Sequence, residues 1–180
     1  RRSARALHRS KVLHYSTALY TDQVAGEPPM LPVLRRYRPY GSTANVDFLT
    51  TRPITIVENS HINAVVQHSD WEREAAEVLD KCPAVKFFTR NDHLGLSIIY
   101  EHMDQDHVYE PDFIVELKNE LRLLLEIKGY EVHNPEVIEA KGNAAKRWVT
   151  AVNNLGEFGK WDYLICRDVG KLGESLGFLS

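Results

Sequence analysis

Two short apolar runs, PDFIVEL (Pro111–Leu117) and LRLLLEIKG (Leu121–Gly129), flank the tripeptide KNE (Lys118–Glu120), and they constrain the fold more than any other part of the chain. Side chains alternate between the two faces of a strand. In the first run Pro111, Phe113, Val115 and Leu117 therefore share one face, and Asp112, Ile114 and Glu116 the other. In the second, Leu123, Leu125 and Ile127 oppose Leu124, Glu126 and Lys128. A hairpin centred on Asn119 sets Asp112 across from Glu126 and Glu110 across from Lys128, with opposed Cβ atoms about 4.5–5.5 Å apart on one side. Charged side chains are rarely buried unless paired or bound to a metal, so the hairpin has to supply a reason for holding Asp112, Glu126 and Lys128 together.

Two such carboxylates repel unless a proton or a cation lies between them. Mg²⁺ suits hard oxygen donors, with the backbone carbonyl of Ile127 as one more ligand. Lys128, on the same face, is placed to orient an attacking water or to stabilise charge on a phosphate. Metal, carboxylates and lysine together make a phosphodiester-hydrolysis site. The alternative is a solvated strand face with a surface Glu–Lys pair. E-x-K alone is common; the Pro-Asp ahead of it, in register at hairpin distance, favours the site.

The surrounding pattern predicts a mixed domain. SDWEREAAEVLDK reads as a helix capped by Ser69 or Asp70 and followed by Pro83. AVKFFTR and LGLSIIYEH read as strands around an NDH turn, and HVYEPDFIVEL and LRLLLEIKGY as two more. NPEVIEAKGNAAKRWVTAVNN reads as a long helix with Asn134 and Pro135 at its start, and WDYLICR as a closing strand. PITIVEN and INAVVQ read as strands or extended connectors. The first helix, the strands and the later helix and strand imply an α/β (α+β) domain with helices flanking a central sheet. Residues 46–180 are assigned to this domain and residues 1–45 to a basic extension or linker, with a helix expected over Arg5–Tyr20 and breakers in GEPPMLP.

The charge is uneven. The chain carries a net −3, yet its first 40 residues hold eight Lys/Arg against Asp22 and Glu27. A basic arm on an acidic body is one way to hold a polyanion; a solvated face or a cut linker is the other. No apolar run approaches the roughly 18–20 residues of a membrane span, and no secretory leader is apparent. Cys82 and Cys166 lack C-x-x-C spacing, which points to reduced thiols. There is no G-x-x-x-x-G-K-[ST], hence no ATP site expected in this stretch. The eight histidines form no zinc-ligand spacing.

Two further residues lean toward the hairpin. Glu72 alone among Glu72, Glu74 and Glu77 falls within the arc of Trp71, Ala75 and Leu79, and so is placed to reach the same metal; its alternative role is to complement the helix dipole. Lys141 sits three and seven residues before Ala144 and Trp148 and either leans over the sheet toward a phosphate or faces water. Trp148 and Trp161 read as core.

Pro111-Asp112 followed by Glu126-Ile127-Lys128 resembles the PD-(D/E)xK nuclease superfamily. The likeness is sharper to the C-terminal endonuclease domain of Type III restriction enzyme Res-subunit-like proteins, carried by GSTANVDFLTTRP, SHINAVVQHSDWEREAA, YEPDFIVEL, LLLEIKGY and AAKRWVTAVNNLGEFGKWDY, most of residues 41–165. The resemblance implies a restriction-endonuclease-like αβββαβ core and Mg²⁺-dependent cleavage of double-stranded DNA, with one or two ions and Mn²⁺ as a substitute. Asp112, Glu126, Ile127 and Glu72 would be metal ligands, Lys128 the catalytic lysine, and Lys141, Lys146 and Arg147 contacts to DNA. It also implies a helicase-like ATPase upstream in the same polypeptide, a methyltransferase subunit as partner, and an anti-phage role in a bacterial or archaeal cytoplasm. YEVHNPEVIEAKGNAAKRW departs from the shorter, more basic lead expected before the helix. The rival readings are a nuclease-fold module that binds DNA or a partner without cutting, and a DNA repair nuclease of the same fold.

Overall fold

In the computed structural model, residues 2–5, 14–16, 30–32, 40–129 and 134–180 are described. The strands are β1 (Arg2–Arg5), β2 (His14–Ser16), β3 (Tyr40–Ser42), β4 (Asp47–Thr50), β5 (Ile54–Ile56), β6 (Ala64–Val66), β7 (Val85–Arg90), β8 (Ile98–His102), β9 (Gln105–Tyr109), β10 (Phe113–Leu117), β11 (Arg122–Ile127) and β12 (Trp161–Cys166). The helices are α1 (Asp70–Lys81), α2 (Pro135–Leu155) and α3 (Leu172–Leu179). The described residues thus form a mixed α/β fold with mostly antiparallel strands, and none of their helices is long and apolar enough to cross a membrane.

A four-stranded sheet in the order β12-β11-β10-β7 is the centre. β10 pairs antiparallel with β7 and with β11, and β11 pairs parallel with β12. A parallel neighbour needs a long crossover, and α2 supplies it. The hairpin register is the one alternation demands: Phe113 faces Leu125 and Ile114 faces Leu124. Asn119 closes the turn, its Oδ1 accepting from the Leu121 amide at 3.1 Å. Because β10 and β11 are covered on both sides, alternate residues serve two cores. Phe113, Val115, Leu123 and Leu125 pack with Ala75, Ala76 and Leu79 of α1 and Leu172 and Leu176 of α3. Ile114 and Leu124 pack with Ala145, Trp148 and Val152 of α2. Trp148 meets Trp161 edge-on at 5.1 Å, in the core as expected. Truncating any one of these buried leucines to alanine typically costs about 2–5 kcal/mol.

The helix ends follow their sequences. Ser69 caps α1, its Oγ accepting from the Glu72 amide at 3.2 Å. Asp70 and Glu72 lie in the first turn and Lys81 in the last, in accord with the helix dipole. α2 begins with Pro135 and ends at Gly156, which takes the left-handed φ of 75°. Asn134, expected as its cap, is itself left-handed and makes no side-chain capping bond, although its carbonyl accepts the Val137 and Ile138 amides.

Four expectations need correction. β8 does not pair with β7 across the NDH turn; it forms a separate antiparallel hairpin with β9. Its turn is Met103-Asp104, both at positive φ, a conformation that glycine or asparagine usually signals. HVYEPDFIVEL is two strands, not one, split where Pro111 cannot donate to a ladder. The helix expected over Arg5–Tyr20 does not hold at His14–Ser16, which is a strand paired with β3; residues 6–13 and 17–20 lie outside the described set. The C-terminal α3 was not anticipated. β1 pairs with β4, and Ala4, 1% exposed, joins the core on the α2 side. Part of the basic stretch is therefore stitched into the body.

Candidate functional site

The site lies where the β10–β11 hairpin opens. Asp112 immediately precedes β10, one step beyond the Phe113–Leu125 pair, and so stands across from Glu126. Its Oδ2 accepts the Ile127 amide at 2.8 Å, ending the ladder with a side chain instead of a carbonyl. Its own carbonyl accepts the Asn91 amide at 2.9 Å, which ties it to the end of β7. Burial first, and the charge of Glu126 second, push the Asp112 carboxyl up to about 7. The two acids are thus electrostatically coupled.

Glu126 is 3% exposed. Its Oε1 lies 2.5 Å from the Lys128 ammonium, and its Oε2 accepts the Tyr109 hydroxyl at 2.7 Å. Lys128 follows on the same face, its amide extending the ladder to the Cys166 carbonyl at 2.8 Å. Burial works to lower the Lys128 pKa, but Glu126 overrides it and holds the ammonium above its usual range. With its side chain 30% exposed, Lys128 is the part of the cluster that meets solvent. What is established for Ile127 is its amide bond to Asp112 and a side chain buried in the α1 core.

α1 brings Glu72 to the same end of the sheet, close enough that its charge bears on both Asp112 and Lys128. Glu74 and Glu77 turn away and pair with Arg73. Glu72 Oε2 lies 2.7 Å from Arg90 Nη1, yet the two atoms are misaligned for donation, and both are buried without a hydrogen bond. The guanidinium also bonds Asp92 through Nε at 3.1 Å and rests on the Phe113 ring. Among the described residues no three His, Cys, Asp or Glu side chains converge as a ready metal-ligand set; each of these acids is turned to a donor of the protein.

The three basic candidates on α2 are not brought together. Lys141 Nζ lies 5.5 Å from the ring centre of Tyr109 and 5.7 Å from that of Tyr100, over the tyrosine that holds Glu126. Lys146 is exposed and Arg147 half-buried. Five residues separate Lys141 from Lys146, about 140° around a helix, so they face different ways. Sequence reasoning missed Tyr109 and Arg90. Tyr109 carries a usable signal, a phenol at the end of an alternating run three residues before Asp112. Arg90 carries none, because its partner Glu72 is distant in sequence.

Cys82 and Cys166 are buried free thiols. His61 is a satisfied core residue, its Nδ1 3.2 Å from Thr43 Oγ1. Comparison of the chain with protein-family models, with curated proteins and with solved structures finds no match.

Proposed function

We propose that this chain is a metal-dependent DNA endonuclease domain of the PD-(D/E)xK kind. The observation that carries the reading is the convergence of Asp112, Glu126 and Lys128 at one end of a sheet, delivered by the register of a single hairpin. Leaving aside the inserted β8–β9 hairpin, the sheet and its flanking helices run α-β-β-β-α-β, which supports the restriction-endonuclease-like core.

The residues fit a divalent metal by their chemistry. Asp112 and Glu126 offer hard oxygens, and their mutual repulsion is the cost a cation relieves. Glu72 adds a further carboxylate at the same end of the sheet, its Oε2 held by Arg90 at 2.7 Å. These three, with the Ile127 carbonyl, would hold Mg²⁺ or Mn²⁺, which when bound lowers the pKa of a water and polarises a phosphoryl oxygen. Lys128, cationic and partly exposed, orients the attacking water and stabilises negative charge on the phosphate. Lys141, Lys146 and Arg147 are assigned to DNA, with Lys141 the one beside the site. A helicase-like ATPase upstream, a methyltransferase partner and a cytoplasmic anti-phage role belong to the same proposal.

The rival, a module of this fold that binds without cutting, is favoured by one observation: both oxygens of Glu126 are already engaged by Lys128 and Tyr109. Melting with and without Mg²⁺ separates the two. Wild type should gain stability that grows with metal concentration, Asp112→Asn should gain less, and Lys128→Ala should keep or increase the response. An equal response in wild type and Asp112→Asn contradicts the nuclease reading.

A further inference from the structure

Tyr109 closes β9 and reaches into the α2-side core, where it is 2% exposed. Its hydroxyl donates to Glu126 Oε2 at 2.7 Å. Tyr163, from β12, packs partly buried against the same core, and the Lys141 ammonium lies over the Tyr109 ring. Glu126 has two oxygens and two holders. Lys128, paired with one oxygen, is 30% exposed and meets solvent. Tyr109, on the other oxygen, is 2% exposed and belongs to the core that holds β8, β11 and α2 residues.

We propose that Tyr109 is the positioning residue of Glu126. The inference rests on the nuclease reading. It gives a role to the β8–β9 hairpin, a segment outside the α-β-β-β-α-β order: through Tyr109 it fixes which oxygen of Glu126 is turned to the core and which to Lys128. A phenol suits the task. It has one O–H to donate, and Glu126 Oε2 accepts it at 2.7 Å. Outer hydrogen-bond partners of metal-binding carboxylates typically contribute about 10–100-fold to metal affinity.

The test is a Mg²⁺ titration read by the melting temperature of the 180-residue chain, without DNA. Tyr109→Phe should raise the Mg²⁺ concentration giving half the thermal shift by about tenfold, while Tyr100→Phe, which alters the other hairpin tyrosine, should leave it unchanged. A wild-type midpoint in Tyr109→Phe overturns the inference and leaves the nuclease reading intact. An equal rise in Tyr100→Phe also overturns it, because the effect would then belong to the hairpin's packing. A wild-type chain with no response to Mg²⁺ overturns both. If Tyr109→Phe fails to fold, the titration is run on it beside wild type in a stabilising osmolyte such as trimethylamine N-oxide: the midpoint about tenfold higher is still expected, and an equal one overturns the proposal.

Discussion

Asp112 and Glu126 are chemically alike and energetically unlike. Asp112 is raised from 3.8 to about 7, by burial first and by Glu126 second, so in the folded chain it keeps a proton that the unfolded chain has already released. Between about pH 4 and pH 7 the folded state binds more protons, and stability falls as pH rises through that window and then levels off. Asp112→Asn removes this titration. Its stability should decline less from pH 4 to pH 7, and at pH 8 it should exceed wild type by on the order of 2–4 kcal/mol. Glu126 has both a cation and a phenol as partners, so Glu126→Gln should lower stability at the same pH, by about 1–3 kcal/mol. Urea denaturation of the three proteins at pH 8 checks both signs; two substitutions shifting stability in the same direction contradicts the assignment of unequal environments.

At the scale of elements, α1 positions Glu72 from its first turn, and that turn is secured by Ser69. Ser69→Ala should cost about 1 kcal/mol, read as a lower thermal midpoint, and a loss of under a few tenths would show the cap to be idle. The same helix shows what sequence could and could not supply. Its cap, its apolar arc and the inward place of Glu72 follow from local spacing and dipole complementarity. The β10–β11 register followed as well, because alternation and a short turn leave one pairing that buries both leucine sets. The β8–β9 hairpin was hidden because Met103 and Asp104 occupy left-handed conformations without the residues that usually announce them. Pairings such as β1 with β4 were hidden for another reason: the partners are some forty residues apart in sequence, beyond any periodicity. Tyr109 belonged to that missed hairpin, so its hold on Glu126 was hidden with it.

For the whole molecule, the sheet separates two cores, and the site sits at the open end of the β10–β11 hairpin, where Lys128 meets solvent. Residues 41–180 carry fourteen Lys/Arg against 23 Asp/Glu, while the first 40 carry eight against two, and within those 40 β1 is anchored on β4. On the proposed reading such a body would approach DNA against its own field, and productive contact would then depend on the local cations, Lys128 and Lys141, more than on net charge. This makes the central claim open to a direct measurement, conversion of supercoiled plasmid to open-circular DNA by the purified chain at low ionic strength. The account predicts nicking with Mg²⁺, none with EDTA, and none with Asp112→Asn, Glu126→Gln or Lys128→Ala at the same metal concentration. Nicking that persists in EDTA, or that survives in Asp112→Asn and Lys128→Ala at the wild-type rate, would contradict it.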